Sequence, residues 1–336
     1  MQSPTTLSVI IVTWNGLAHL PRCLACLCPQ LPPDAEVILV DNASTDGTAP
    51  WVREHYPHVR LLALGRNTGF SGGVDAGLRV ARGQLILLIN DDAFAEPGCV
   101  DALLEPMRCD PALGSASATL LFAHRPDLVA SAGITMRRDG VALDLWAGRA
   151  VAELPDAPCP ILGPSGGAAI YRRAALDDAG GIPPEFFAYL EDADLALRMR
   201  LRGWPSVAVP QARILHIYSA TAGQGSPLKQ RLLGRNRIRM LVRCLPTALL
   251  ARCLPHILLY DALACAYALL RGQRAMLAGR LMALAELPAL VRQRRAIQAR
   301  ATAPKTLINW LQPPPPPWQN LRDAKHLDAI LAGRQA

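Results

Sequence analysis

The sequence predicts an α/β fold in which a mostly parallel sheet is flanked by helices. Short apolar runs alternate with helical stretches through roughly the first third of the chain, a pattern typical of parallel sheets. Polar residues also collect where the predicted strands end. Because ligands of such sheets bind at the carboxyl ends of the strands, this pattern predicts a binding site at that edge.

The elements are predicted in order from local composition. Leu7 to Thr13 is a short β-branched apolar run and is predicted as a buried strand, followed by a helical stretch from about Leu17 to Leu27. Glu36 to Asp41 is the second strand, and Asp46 can cap a helix from about Thr48 to His55. The alternation continues with strands at Val59 to Leu64 and Gln84 to Ile89 and helices at Gly73 to Arg82 and Pro97 to Arg108.

Composition and charge limit the class of protein. Of 336 residues, 51% are hydrophobic and 18% are charged, which supports a packed core and excludes a largely disordered chain. The net charge of +8 is uneven: residues 1–228 carry −6, residues 229–300 carry +12, and residues 301–336 carry +2. The acidic first part argues against binding to nucleic acid, so no nucleic acid partner is expected.

The cysteines indicate a reducing compartment. The nine cysteines are odd in number and show no regular pairing, which favours reduced thiols acting as small apolar residues in a cytoplasmic protein. Cys23, Cys26 and Cys28 lie in a predicted helix without a second cluster or a His pair, which disfavours zinc. The apolar run that opens the chain is too short for a signal peptide, so we expect the fold to begin there.

The second part of the chain is predicted to be helical. We expect residues 1–240 to form the α/β domain, residues 241–312 a basic amphipathic helical extension, and residues 313–336 a Pro-rich linker with a short terminal helix. Basic apolar helices suit an anionic membrane surface, so the 241–300 segment is expected to lie on the membrane or re-enter it. An ordinary soluble helical tail remains an alternative. A true span over Cys253 to Leu270 is disfavoured, because Asp261 would lie within it.

The predicted strand ends carry acids and glycines but not the common cofactor motifs. The G-x-G-x-x-G motif of nicotinamide-binding proteins and the Walker loop are absent, and the glycine-rich stretch Gly69 to Gly77 is either a phosphate-approach loop or a tight turn. Asn90-Asp91-Asp92 ends an apolar strand. Adjacent acids there repel unless a cation or hydrogen-bond donors compensate, and hard oxygen ligands beside a diphosphate suit Mg²⁺ or Mn²⁺. The alternative role for these acids is to cap the next helix.

Taken together, the motifs resemble those of family 2 inverting glycosyltransferases of the GT-A fold, and more narrowly a bacterial rhamnosyltransferase-like branch. The resemblance covers about residues 7–240, in which the matching pieces stand in the family's order. These pieces are Val9–Asn15, Val40–Gly47, Arg66–Phe70, Leu88–Asp92, Gly166–Arg172, Phe186–Leu195 and His216. The resemblance implies a GT-A nucleotide-diphospho-sugar transferase fold, with residues 1–240 as the catalytic domain.

The resemblance also implies a set of residues that bind the donor nucleotide. Thr13 and Asn15 would line the nucleotide pocket, and Asp41 would accept a hydrogen bond from the nucleobase or ribose. The other members would lie near the nucleotide or leave backbone room for it: Arg66, Asn67, Gly69, Gly72 and Asp91.

A divalent metal, Mg²⁺ or Mn²⁺, is implied beneath the donor diphosphate. Asp92 corresponds to the last acid of the family's D-x-D-like strand end, and Asn90 at the first position weakens that ligand. His216 opens an H-x-x-S-x-T pattern, which favours it as a second ligand over an ordinary hydrogen-bonded histidine.

The catalytic residues are implied to lie at Glu191-Asp192-Ala193-Asp194. Asp192 would be the general base that takes the proton of the acceptor hydroxyl, with Glu191 orienting the acceptor or supporting the base. Gly166 and Gly167 would form the acceptor-side turn. The alternative is purely structural, since acids in the first turn of a helix are stabilised by its exposed amides. Four cations could close over the diphosphate or form a charge stripe facing solvent or membrane: Lys229, Arg231, Arg235 and Arg237.

The sequence therefore predicts a metal-dependent inverting glycosyltransferase of the hexosyltransferase class. It would move a sugar from a nucleotide-diphosphate donor, with rhamnose as the candidate, to a glycan or lipid-linked acceptor during polysaccharide synthesis. We expect it to be peripheral on the cytoplasmic face of the inner membrane. Two alternatives remain: another sugar-nucleotide enzyme, such as a nucleotidyltransferase, and an inactive membrane-associated subunit that binds nucleotide.

Overall fold

A computed structural model describes residues 6–217 and 226–316, together with scattered positions between 318 and 333. The strands in chain order are β1 (Leu7–Thr13), β2 (Glu36–Asp41), β3 (Arg60–Ala63), β4 (Leu85–Asn90), β5 (Ala93–Ala95), β6 (Ser115–Phe122), β7 (Arg125–Ser131), β8 (Ile134–Arg137), β9 (Ala142–Asp144), β10 (Cys159–Pro160), β11 (Ala168–Arg172), β12 (Ser206–His216) and β13 (Leu311–Gln312). The α-helices are α1 (Leu20–Leu27), α2 (Thr48–His55), α3 (Gly69–Val80), α4 (Cys99–Cys109), α5 (Arg173–Ala179), α6 (Glu191–Leu201), α7 (Pro227–Cys244), α8 (Thr247–Leu270), α9 (Arg274–Ala285) and α10 (Leu287–Ala299).

One large sheet organises the α/β part, with the strand order β10-β12-β6-β11-β4-β1-β2-β3. The strands β4, β1, β2 and β3 are mutually parallel, and β12 runs parallel to β6. The strand β11 lies antiparallel between β4 and β6. The carboxyl ends of β1, β2, β4 and β12 and the start of β11 therefore meet at one edge, and the α/β prediction is confirmed.

Helices cover both faces of this sheet, which explains why its strands are continuous apolar runs. Along β1, Val9 and Ile11 pack in a cluster with α1 and α4, whereas Ile10 and Val12 pack in a second cluster with α3, α5 and α6. Successive strand residues point to opposite faces, so one strand supplies both cores.

The glycine-rich stretch after β3 is helical, because α3 begins at Gly69 and not at Gly73 as predicted. A Cβ atom on Gly73 would lie 2.5 Å from the Val12 side chain, and one on Gly77 would lie 2.7 Å from Ile10. These two glycines let α3 approach β1 closely. Neither a loop nor a tight turn is therefore present over residues 69–77.

The helical extension is continuous with the α/β part. The predicted boundary at residue 240 falls inside α7, whose Met240 and Cys244 share a core cluster with Leu197 of α6. The strand β13 also returns to pair with β8. The boundary at residue 240 therefore does not separate two cores.

The helix α8 is a single helix of 24 residues that continues through Pro255. In the described part of the chain it is the one helix long and apolar enough to cross a membrane, judged by length and composition only. Residues 313–316 have no regular structure, and much of the predicted helix from Trp318 to Ala336 lies outside the described residues.

Candidate active site

The first part of the site forms where β1 and β4 end. The Thr13 hydroxyl donates a 2.6 Å hydrogen bond to Oδ2 of Asp91. A Cβ atom on Gly16 would lie 2.1 Å from that same oxygen, so only glycine allows the chain to pass the Asp91 carboxylate. A cavity of about 180 Å³ opens beside them. It is lined by Trp14, Asn15, Gly16, Ala18, His19, Asp91 and Asp92.

The loops after β1 and β2 hold each other in place. Asn15 has a left-handed backbone with φ of 54°, and its side-chain oxygen accepts a hydrogen bond from the Thr45 amide. The Ser44 hydroxyl accepts from the Asn15 amide, while the Ser44 amide donates to Asp41. The structure therefore brings the predicted residues Asn15 and Asp41 together through Ser44.

Two of the predicted glycines, Gly69 and Gly72, lie in the first turn of α3. Gly69 has a φ of 73°, and a Cβ atom there would lie 2.2 Å from the Phe187 carbonyl oxygen. A Cβ atom on Gly72 would meet the Thr68 side chain at 2.6 Å. A side chain at either position would therefore clash with the protein itself.

Two asparagines fix this helix start. The side-chain oxygen of Asn67 accepts a 2.8 Å hydrogen bond from the Gly69 amide. The buried Asn42 donates to the Gly69 carbonyl and accepts from the Thr68 amide. Sequence reasoning missed Asn42, although it directly follows the predicted residue Asp41. Arg66 is exposed near this helix start.

The two residues predicted to bind the metal, Asp92 and His216, lie side by side. The strand β5, which was not predicted, lies antiparallel to the end of β12 and places His216 opposite Ala93. As a result, Oδ1 of Asp92 lies 3.1 Å from Nε2 of His216. Both residues are buried. The partners Ser219 and Thr221 of the histidine pattern lie outside the described residues.

The charge around this pair suits a divalent cation. Burial, together with the neighbouring Asp92 carboxylate, raises the pKa of Asp91 to about 7, and the hydrogen bond from Thr13 opposes this rise. Carboxylate oxygens are ordinary ligands for both Mn²⁺ and Mg²⁺, whereas an imidazole ligand favours a transition-metal ion over Mg²⁺. Within the described residues, no group of three or more His, Cys, Asp or Glu side chains is placed to hold a metal ion.

Asp192 and Glu191 lie in the first turn of α6. The Gly166 amide donates a 2.9 Å hydrogen bond to one oxygen of Asp192, and the Ala193 amide donates to the other. Burial raises the pKa of Asp192 to about 6, with those amides opposing the rise and Asp144 adding to it. Burial and the neighbouring Asp192 raise the pKa of Glu191 to about 8. Backbone amides therefore stabilise the charged form of Asp192 against the effect of burial.

The Gly166-Gly167 turn connects the two predicted centres. Gly166 lies beside the Asp192 carboxylate, and the Gly167 carbonyl accepts a 3.0 Å hydrogen bond from the Asn90 amide at the end of β4. A Cβ atom on Gly167 would also lie 3.8 Å from the His216 ring. A proton acceptor and a candidate cation site therefore flank one short turn.

The cations of α7 are only partly available to a ligand. Arg235 donates to the Glu185 and Phe186 carbonyls, and Arg237 is buried against the Asp139 carbonyl and Asp261. In this structure both side chains are engaged with other parts of the protein. Lys229 lies 5.3 Å from the centre of the Tyr189 ring, and Arg231 is exposed.

Three comparisons place these observations among known proteins. The family model described as glycosyl transferase family 2 matches residues 8–180. An N-acetylglucosaminyl-diphospho-decaprenol L-rhamnosyltransferase from Mycobacterium tuberculosis is 30% identical over 239 residues, which cover 65% of this chain and 78% of that protein.

Two solved structures show the same fold. The crystal structure of Staphylococcus aureus TarS 1–349 aligns with a TM-score of 0.55 at 17% identity, covering 90% of this chain and 91% of that one. The mannosyltransferase PcManGT from Pyrobaculum calidifontis, in complex with GDP-Man and Mn²⁺, aligns with a TM-score of 0.51 at 18% identity, covering 87% and 86%.

Proposed function

Because this chain belongs to glycosyl transferase family 2 and is a glycosyltransferase of the GT-A fold, we propose that it transfers a sugar with inversion from a nucleoside diphosphate donor to a lipid-linked glycan. We propose rhamnose as the sugar, because the M. tuberculosis relative is named as an L-rhamnosyltransferase that acts on a diphospho-decaprenol acceptor. The observation that carries the proposal is the Gly166-Gly167 turn, which joins Asp192 to the Asp92–His216 pair.

The chemistry follows from that arrangement. An inverting transfer needs a base on one face of the anomeric carbon and a leaving group on the other. Asp192 accepts the proton of the attacking acceptor hydroxyl, and the Gly166 amide holds the carboxylate in place. The donor nucleotide would lie in the cavity beside Asn15 and Asp91, at the ends of β1 and β4.

A divalent metal fits the residues at this edge. PcManGT was crystallised with Mn²⁺, and here Asp92 and His216 would hold the ion. When bound, such an ion offsets negative charge on the departing diphosphate. Membership of a glycosyltransferase family argues against the nucleotidyltransferase alternative.

The first test is transfer measured with and without metal. We expect purified protein to release nucleoside diphosphate from one donor in a panel that includes dTDP-rhamnose, when Mn²⁺ or Mg²⁺ and a lipid-linked glycan extract are present. Chelation should abolish release, and Asp92→Asn should lower it at least about tenfold, since a ligand is lost. Metal-dependent nucleotide binding without turnover on any donor and extract would instead support the inactive-subunit alternative.

We further propose that the helical extension holds the enzyme on the cytoplasmic face of the membrane, where a lipid-linked acceptor is presented. One side of α8 packs on the protein through Leu249, Cys253 and Ile257. The other side and the neighbouring α9 expose large apolar side chains beside arginines. These exposed side chains are Leu254, Leu258, Leu259, Leu263, Tyr267, Leu269, Leu270, Leu281, Met282 and Leu284.

An in-plane position suits α8 better than a span. Near the middle of α8, Asp261 forms ion pairs with Arg237 at 3.0 Å and with Arg280 at 2.9 Å. A span would carry this charged cluster into the hydrocarbon region, which is costly. In-plane binding leaves the cluster on the protein side and places Arg252 and Arg271, at either end of the apolar stretch, near anionic headgroups.

Membrane binding can be measured by vesicle flotation. We expect the wild-type protein to float with vesicles of phosphatidylcholine and phosphatidylglycerol, and Leu258→Ser/Leu259→Ser to bind at least about tenfold more weakly, since each leucine contributes about 1.5–3 kcal/mol when buried. Leu143→Ser is the control, because Leu143 is an exposed leucine on β9, outside the extension. Equal binding by the double variant and the wild type would contradict the proposal.

A further inference from the structure

The loop Glu185–Leu190, here named the pre-base loop, leads directly into the catalytic turn of α6. Three of its residues have left-handed backbone conformations: Phe187 with φ of 67°, Tyr189 with φ of 70°, and Leu190 with φ of 66°. None of them is glycine, so this backbone is strained. A strained loop keeps its shape only when its surroundings hold it.

One buried amide contacts three carbonyls of the loop. Asn236 of α7 is fully buried, and its two side-chain N–H groups are shared among three carbonyls of the pre-base loop. The distances are 3.0 Å to Phe186, 2.9 Å to Ala188 and 2.8 Å to Tyr189. These carbonyls point towards one donor because the backbone turns around it.

Other groups satisfy the remaining carbonyls of the loop. Arg235 donates to Glu185 and Phe186, and Arg239 also donates to Glu185. The Phe187 carbonyl accepts from the Ser71 amide of α3, at the start of the helix near the donor side. The loop is therefore held from α7 on one side and from α3 on the other.

The position of the base depends on this loop. Leu190 immediately precedes α6. Its carbonyl accepts a hydrogen bond from the Asp194 amide, which is the first hydrogen bond of that helix. Any change in the loop conformation would rotate or shift Glu191 and Asp192 with it. A displacement of about 1 Å at a reacting group can cost about 10²-fold in rate.

We propose that Asn236 is a positioning residue for the transfer reaction, because it holds the pre-base loop in the strained form that presents Asp192 to the acceptor. This inference rests on the proposed function. Asn suits the position because its amide supplies two N–H groups, whereas Asp supplies none and Ala would leave buried carbonyls without that partner.

The test compares Asn236→Ala with Leu103→Ala. Leu103 of α4 is also fully buried, and among the described residues its core cluster includes none from the pre-base loop, α6 or α7. We expect Asn236→Ala to lower kcat by about 10²-fold while the KM of the donor changes less than about threefold. Leu103→Ala should show a comparable fall in melting temperature with kcat within about twofold of wild type. This split separates positioning of the base from general loss of stability.

A second variant keeps the test informative if Asn236→Ala does not fold. Asn236→Ser retains one donor group and should give an intermediate kcat. If the folded Asn236 variants retain the kcat of Leu103→Ala, the inference is overturned. Asp192→Asn, assayed in parallel, tests the proposed function separately: an active Asp192→Asn refutes the function, whereas an inactive Asp192→Asn beside a fully active Asn236→Ala refutes only the positioning role.

Discussion

Replacement of Asp192 by Asn is expected to lower kcat by about 10²–10⁴-fold, the usual contribution of a general base. The substitution keeps one oxygen that can accept from the Gly166 amide and loses the acceptor for the Ala193 amide, so the bond to the Gly166-Gly167 turn is retained. Donor binding should therefore remain within about threefold of wild type. Steady-state transfer assays and direct titration with nucleoside diphosphate separate the two quantities.

The pH dependence supplies a second measurement of the same role. Since burial raises the pKa of Asp192 to about 6, kcat/KM should fall as the pH drops below about 6, where the base becomes protonated. Asp144→Asn removes a negative charge that raises this pKa, so the acid limb should move to lower pH. An acid limb near pH 4 in the wild type would contradict the assignment.

A matched control guards against a trivial effect of lost charge. Asp177 lies on the exposed surface of α5, so Asp177→Asn removes the same charge without touching the site. It should retain wild-type kcat and pH dependence. If Asp192→Asn behaves like Asp177→Asn, Asp192 is not the base.

The parallel half of the fold was predictable because its signals are local. The strands β1 and β2 and the helix α2 have the predicted bounds, since each is a short apolar or capped run. The predicted start of α3 at Gly73 was too late, because the glycines between Gly69 and Gly73 favour turns. Tight packing against β1 determines the conformation of this segment instead. The strand β5 was not predicted, because three residues are too few to show the alternation of apolar and polar side chains typical of a strand. Its pairing with β12 defines it.

The residues of the site also divide into those with a local sequence signal and those without one. Asp92, which follows β4, and Asp192, in the first turn of α6, stand out as acids in a sequence motif. Asn42 and Asn236 carry no such signal, because their importance comes from backbone carbonyls distant in sequence. Gly16 was also missed, since the need for glycine arises from the Asp91 side chain, which approaches from another strand.

Two carboxylates on α6, two residues apart, face opposite electrostatic environments. Asp192 has a raised pKa, so its charged form is disfavoured in the folded protein, and Asp192→Asn should not reduce stability at neutral pH. Asp194 is fully buried. Burial alone would raise its pKa, but Arg198 and Arg243 lower it below the ordinary value. Asp194 therefore stabilises the fold at neutral pH, and this stabilisation is lost as the pH falls through its depressed pKa.

Asp194→Ala is accordingly expected to destabilise the protein by about 3–5 kcal/mol, the usual cost of breaking a buried ion pair from one side. Oδ2 of Asp194 lies 2.7 Å from Nε of Arg198, and its other oxygen lies 3.6 Å from Arg243. Without the carboxylate, two buried guanidinium groups lose their shared counter-charge. Denaturant unfolding measures the loss, with Asp127→Ala in the exposed Arg125–Asp127 pair as the control that should leave the midpoint unchanged. A similar midpoint for both variants would show that the Asp194 cluster contributes no more than a surface pair, and the distinction between the two carboxylates of α6 would then fail.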